Sequence, residues 1–161
     1  MAIMNIVKDG DEVLRKKSRP VTEITPRIIR LLDDMVETLH DSGGVGLAAP
    51  QVGVLRRIAV IEVEPGELIE LINPVIVSKK GKQEELEGCL SVPGKWGITK
   101  RPYQVTVKAL DRNGEEFSVT GEDLLARALC HETDHLDGTL FYDNAIHMLT
   151  KEELAELQEE D

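Results

Sequence analysis

Aromatic side chains are scarce in this chain: Phe, Trp and Tyr together make up 3% of 161 residues. The core must therefore be packed from Leu, Ile, Val and Ala. Cysteine is nearly absent too, with only Cys89 and Cys130. A chain of this length buries roughly two-thirds of its unfolded surface and needs no disulfide staple. No apolar run reaches the length of a transmembrane helix, so no membrane partner is expected. The opening segment, MAIMNIVKDGDEVLRKKSRP, has no basic lead-in followed by a long apolar stretch, so no secretory signal is expected. These absences point to the cytoplasm, where both cysteines are reduced thiols. Positive charge is also short: 19 Lys and Arg stand against 30 Asp and Glu, for a net charge of −11 and a pI near 4.8. Phosphate backbones demand clustered positive charge, so no direct nucleic-acid function is expected. No internal repeat or low-complexity tract divides the sequence, and residues 1–161 read as one domain.

What is present is a clear pattern of elements. Residues 11–17 suit one or two helical turns ended by Pro20. Thr25-Pro26 is a helix start, with Thr25 as cap and Pro26 in the first turn. Ile28, Leu31, Leu32, Met35, Val36 and Leu39 recur at helical spacing to about His40, and Gly43-Gly44 ends the run. Residues 57–63, 68–77, 104–110 and 116–120 read as strands, with Asn113-Gly114 as a hairpin turn. A second helix is predicted over 122–137, stopped by Gly138. Thr150, with Glu153 three residues on, forms a capping box for a last helix, KEELAELQEE. The fold class is α+β: mostly antiparallel strands packed around a central helix, with N-terminal and C-terminal helices.

That central helix carries His131-Glu132-Thr133-Asp134-His135, an H-E-x-x-H motif. Histidines at i and i+4 lie one above the other, so both imidazoles reach one ion, and Glu132 beside them can take a proton from water. With four histidines in the chain, chance supplies roughly 0.01 such matches. Leu124, Ala128, His131 and His135 follow at helical spacing, which predicts a stripe facing the core. A catalytic site of this kind needs a third protein ligand and an open position. Two sources compete: Cys89, between Gly88 and an expected turn at Pro93-Gly94, or Glu153 or Glu156 on the last helix. The glutamates would make a zincin-type endopeptidase, whereas a scaffold that had lost catalysis would be a metal- or peptide-binding module. Cys130 points to another face of the helix and reads as core.

Three segments together resemble the signature motifs of bacterial peptide deformylases: Gly44-Val45-Gly46-Leu47-Ala48-Ala49-Pro50-Gln51, Glu87-Gly88-Cys89-Leu90-Ser91 and His131-Glu132-Thr133-Asp134-His135. The resemblance spans almost the whole chain. It implies a hydrolase that removes the formyl group from the N-terminal formyl-methionine of new polypeptides and releases formate. It implies one divalent metal on Cys89, His131 and His135, usually Fe²⁺, with Zn²⁺, Ni²⁺ or Co²⁺ as substitutes. Glu132 then serves as general base, and the Gln51 side-chain amide and the Leu90 N–H correspond to the oxyanion donors. Gly43, Gly44 and Gly46 are expected to take left-handed torsions and to let a ligand approach the backbone. An N-formylmethionyl peptide would lie there as an added strand, with Val45, Gly46, Gly88 and Leu129 around it. Glu87, Arg101 and Asp134 would form a charge network behind the ligands.

Two features depart from the best-known members. Trp96 stands where arginine is frequent, by the mouth of the peptide site. It reads either as a loop anchor or as a surface for the incoming side chain. The last helix is strongly acidic, whereas some relatives use a basic C-terminal helix to dock near the ribosomal exit tunnel. Any transient ribosome contact is therefore not expected to run through this helix.

Overall fold

The structure, a computed structural model, describes residues 2–159. Glu160 and Asp161, part of the predicted acidic helix, lie outside the described residues, as does Met1. The first predicted turns are a 3-10 turn, Glu12–Arg15, capped by the Asp11 side chain accepting from the Val13 N–H. Helix α1 (Pro26–Ser42) begins as Thr25-Pro26 predicts: the Thr25 hydroxyl oxygen accepts from the Ile28 N–H at 3.4 Å. Gly43 ends it at φ 72°, a left-handed torsion.

Five strands form one antiparallel sheet: β1 (Gly46–Ala48), β2 (Ile58–Ile61), β3 (Ile69–Lys80), β6 (Gln104–Leu110) and β7 (Glu116–Glu122), in the order β1-β2-β3-β6-β7. The four residues of β2 are apolar without interruption and all are buried, because both sheet faces are covered. Side chains alternate across the strand. Ile58 and Val60 pack with Leu32, Met35 and Leu39 of α1 on one face. Ile61 packs with Leu71, Val105 and Val107 and with Ala126, Leu129 and Cys130 on the other. Those last three belong to α2 (Leu124–Leu136), so α2 covers the face opposite α1. Cys130 is core, as expected.

A second antiparallel sheet joins β4 (Gln83–Cys89), β5 (Val92–Arg101) and β8 (Ala145–Met148), in the order β4-β5-β8. The sequence pattern predicts none of these three strands, nor β1. Residues 83–89 include three glutamates, and Leu86 is exposed, so they carry no apolar alternation. The β4–β5 turn lies at Leu90-Ser91, with Cys89 paired to Val92, whereas Pro93-Gly94 falls inside β5 rather than forming the expected turn. The capping box of α3 (Lys151–Glu159) forms as predicted: the Thr150 hydroxyl accepts from the Glu153 N–H at 3.1 Å, and Glu153 Oε1 accepts from the Thr150 N–H at 3.0 Å. Helix α3 has no buried residue, and Leu157 is exposed. No helix among the described residues is long and apolar enough to cross a membrane.

Candidate active site

The site lies where α2 meets the β4–β5 hairpin and the loop leading into β1. Within α2 the motif histidines stack as their spacing requires, with both Nε2 atoms 3.1 Å apart. The hairpin brings Cys89 to them from 42 residues upstream of His131: its Sγ is 3.3 Å from His135 Nε2. The three ligand atoms all lie within 4.8 Å of one another. Spacings near 3.3 Å are those between corners of a tetrahedron whose bonds measure about 2.0–2.3 Å. One sulfur and two imidazole nitrogens converging in this way fit a divalent transition metal. Neither Glu153 nor Glu156 joins them. Glu153 instead meets His147 and Thr150 at the start of α3.

The predicted charge network is present and holds the ligands from behind. His131 Nδ1 donates to Glu87 Oε1 at 2.6 Å, which leaves Nε2 with its lone pair facing His135 and Cys89. Arg101 donates to both Glu87 oxygens, at 2.8 and 3.3 Å, and to Asp134 Oδ2 at 2.6 Å. The Thr99 hydroxyl adds a bond to Glu87 Oε2 at 2.5 Å. Burial alone would raise the Glu87 pKa, but the bonds from His131 and Arg101 outweigh it and hold the carboxyl near 2. Glu87 is thus an anion that can only accept. Burial holds His135 well below the usual histidine range, so its ring is neutral and able to ligate.

Glu132 is 3% exposed, its Oε1 has no hydrogen-bond partner among the described residues, and burial pushes its pKa up to about 7. A buried carboxylate oxygen without a donor is costly unless the site supplies a proton or a water. Gln51 is fixed equally firmly. Its Oε1 accepts from the Ala48 N–H at 2.9 Å, and its amide nitrogen faces Ser91 Oγ at 3.1 Å and Cys89 Sγ at 3.6 Å.

These groups open into a cavity of about 480 Å³. Of the residues expected around the peptide, Val45, Gly46 and Gly88 line it and Leu129 does not; Leu90 lines it as well. Leu129 is fully buried on the far side of α2, in the core against the five-stranded sheet. Helix phase explains the difference: two residues before His131 lies about 200° around the axis, whereas Ala128 and Leu124 return to its face. Leu124 and Ala128 do line the cavity, so Leu124 is cavity wall rather than the expected core.

The glycines take the expected torsions only in part. Gly43 alone of Gly43, Gly44 and Gly46 has a positive φ. Gly44 and Gly46 make room for the protein's own side chains: a Cβ would sit 2.9 Å from Leu90 Cδ1 and 2.5 Å from Glu132 Oε2, respectively. Gly88 likewise seats the Trp96 ring, whose nearest atom would be 2.6 Å from a Cβ there. Trp96 is therefore anchored on Gly88 while still lining the cavity, 42% exposed. Ser91 and Thr99 escape a reading of the sequence because tertiary packing of the β4–β5 hairpin, not spacing, brings them to Gln51 and Glu87.

The polypeptide deformylase family model matches residues 3–151. A peptide deformylase of Thermoanaerobacter pseudethanolicus is 58% identical over 159 residues, covering 99% of this chain and 99% of that protein. One from Acetivibrio thermocellus is 55% identical over 159 residues, covering 99% of this chain and 93% of that protein. Among solved structures, a peptide deformylase from Legionella pneumophila superposes with a TM-score of 0.86 at 43% identity, covering 98% of this chain and 96% of that one. A peptide deformylase from Synechococcus elongatus, solved in complex with actinonin, superposes with a TM-score of 0.86 at 36% identity, covering 98% of this chain and 85% of that one.

Proposed function

Since the chain belongs to the polypeptide deformylase family, a family of metal-dependent hydrolases that remove the N-formyl group from new polypeptides, we propose roles for its own residues in that reaction. Cys89, His131 and His135 hold the metal, and Glu132 is the general base. The observation that carries this reading is the convergence of one thiol and two imidazoles beside a buried carboxylate with an unpaired oxygen. A divalent ion on that donor set supplies Lewis acidity toward the formyl carbonyl and acidifies water.

The remaining chemistry belongs to side chains. Glu132 takes a proton from the water that attacks the formyl carbon. The C–N bond then breaks, and Glu132 returns the proton to the leaving amine, giving formate and a free amino terminus. The Gln51 amide and the Leu90 N–H donate to the oxyanion, and Gln51 needs no reorganisation because Ala48 and Ser91 already fix it. Glu87, Arg101 and Asp134 orient His131. The peptide lies along the free edge of β1, pairing by main-chain bonds that ignore sequence, with Val45, Gly46 and Gly88 around it. The metal in the cell is Fe²⁺, with Zn²⁺, Ni²⁺ or Co²⁺ able to replace it, because a thiolate with two imidazoles accepts all four. One domain suffices for all of this, since α2 carries residues of both the core and the site. The enzyme works in the cytoplasm on formylated nascent chains, and any transient ribosome contact avoids the acidic α3.

The test is formate release from formyl-Met-Ala-Ser by anaerobic, Fe²⁺-loaded protein beside two variants. Cys89→Ala is expected to lose both metal and activity. Glu132→Ala is expected to keep the metal and lose about 10²–10⁴-fold in rate. Substantial turnover by Glu132→Ala would overturn the assignment of the base.

A further inference from the structure

The cavity wall one helical turn from His131 carries charge of the sign this chain otherwise lacks. The chain has a net charge of −11, yet the charged residues that line the cavity, apart from Glu132 and the fully engaged Glu87, are Lys95 and Arg127. Lys95 is exposed at the mouth, next to Trp96. Arg127 is a different kind of group, because it is built into the wall.

Its side chain is only 15% exposed. Nη1 donates to Gln83 Oε1 at 2.6 Å and to Asp123 Oδ1 at 2.9 Å, so both protons of that nitrogen are used. Gln83 is itself buried and pinned: its amide nitrogen donates to the Pro102 carbonyl at 3.0 Å and to the Asp123 carbonyl at 2.9 Å. Asp123 holds a positive φ of 54° at the start of α2, a conformation that survives only where surrounding bonds enforce it. The result is a guanidinium whose plane is fixed by one edge. Its Nε and Nη2 donors have no partner among the described residues. A fixed fork of N–H donors at a cavity wall matches a carboxylate in two-point geometry. Asp123 offsets part of the charge, but it is 64% exposed and uses Nη1 alone.

We propose that Arg127, held by Gln83 and Asp123, is a specificity-determining residue that selects formyl-methionyl peptides with an acidic side chain shortly after the methionine. Lys95 adds to the same preference from the mouth. Gln83 is a positioning residue: it carries no charge, yet it sets the direction of the fork. The inference rests on the deformylase reading and deepens it, because it concerns the residues that follow the formylated methionine.

The experiment measures kcat/KM for formyl-Met-Xaa-Ser and formyl-Met-Ala-Xaa peptides, with Xaa as Glu, Gln or Lys. At one of the two positions Glu is expected to exceed Gln about tenfold, and Lys to fall below Gln, as for a charge-assisted bond. Arg127→Gln is expected to bring the Glu-to-Gln ratio to about one. Arg127→Lys retains the charge without the fork and is expected to keep only part of the ratio. Gln83→Leu is expected to lower the ratio while leaving the charge count unchanged, an outcome that mere loss of stability would not produce. Lys108→Gln, on an exposed strand position, removes one charge elsewhere and is expected to leave the ratio as it was. Equal rates for Glu, Gln and Lys at both positions would overturn the proposal, as would an Arg127→Gln variant that slows all three equally. No formate from any peptide, with metal bound, would instead count against the deformylase reading itself.

Discussion

At the residue scale the site depends on what is missing as much as on what is present. Glu132 occupies space that only a glycine at position 46 leaves open, since a Cβ there would come within 2.5 Å of Glu132 Oε2. The clash falls on the far end of a flexible side chain, so the fold can yield at little cost while the carboxylate is displaced. Gly46→Ala is therefore expected to lower kcat about 10–100-fold, because misplacing a catalytic group by about 1 Å costs that much. Its melting temperature should stay within about 2 °C of the parent's, the change expected for less than 1 kcal/mol. Melting curves and formate release on the same samples check both halves. A large loss of stability with activity per folded molecule intact would show that Gly46 serves packing instead. Much at this scale is legible in the sequence. His131, Glu132 and His135 are fixed by local helix geometry, so spacing alone brings them together. Cys89 is legible only through the resemblance of its motif, because spacing left Glu153 and Glu156 as rivals. Leu129 misleads because its nearness to His131 along the chain is not nearness in space.

Elements differ in how openly the sequence announces them. Thr25-Pro26 and Thr150 with Glu153 predict helix starts that the structure forms bond for bond, because caps are local chemistry. Strands β4 and β5 are illegible for the opposite reason: residues 83–89 gain their partners only when the hairpin closes and α2 packs against it. The end of α2 is a sharper case. Gly138 was legible as a stop, and it has φ 77°, but its second duty was not legible: a Cβ there would sit 2.6 Å from the Arg15 carbonyl oxygen. Backbone cannot step aside as a side chain can. Gly138→Ala is thus expected to cost about 1–3 kcal/mol, from strain at a left-handed position together with the clash. The melting temperature should fall by roughly 3–10 °C. Arg15 ties the same corner by bonding Asp143 Oδ2 at 2.5 Å and Tyr142 Oη at 2.9 Å. The pair with Arg15 holds the Asp143 carboxyl below its ordinary range. A depressed carboxyl stabilises the fold above its unfolded pKa and loses that contribution as the pH falls through the folded one. Arg15 and Asp143 are both a third or more exposed, so solvent screening limits their pair to about 0.5–1 kcal/mol. Arg15→Ala is expected to melt roughly 2–4 °C lower at pH 7. That difference should shrink as the pH drops below about 4, and a constant difference down to pH 2 would count against the ion pair as its source.

Over the whole molecule the proposed metal ligands would do more than hold an ion. Cys89 belongs to the three-stranded sheet, whereas His131 and His135 belong to a helix packed on the five-stranded sheet. An ion bound by all three ties the two sheets together and binds only the folded state in this geometry. Ligand that binds the native state alone stabilises it by about 4 kcal/mol at a thousandfold excess over Kd. For a chain of this length that is roughly 10 °C in melting temperature. Chelation under anaerobic conditions is therefore expected to lower the melting temperature by about that much and to abolish formate release, and Ni²⁺ or Fe²⁺ should restore both. Cys89→Ala should be nearly blind to chelator, since it lacks the link between the sheets. A parent whose activity is lost on chelation while its melting temperature stays fixed would show that the ion serves chemistry without bracing the fold. The ion's identity then decides durability. Oxidation of the metal or of the thiolate of Cys89 breaks the link between the sheets and stops catalysis together. Fe²⁺-loaded protein kept in air should therefore lose activity and melting temperature in parallel, whereas Ni²⁺- and Zn²⁺-loaded samples should hold both. Equal decay with all three metals would place the weak point outside the metal ligands.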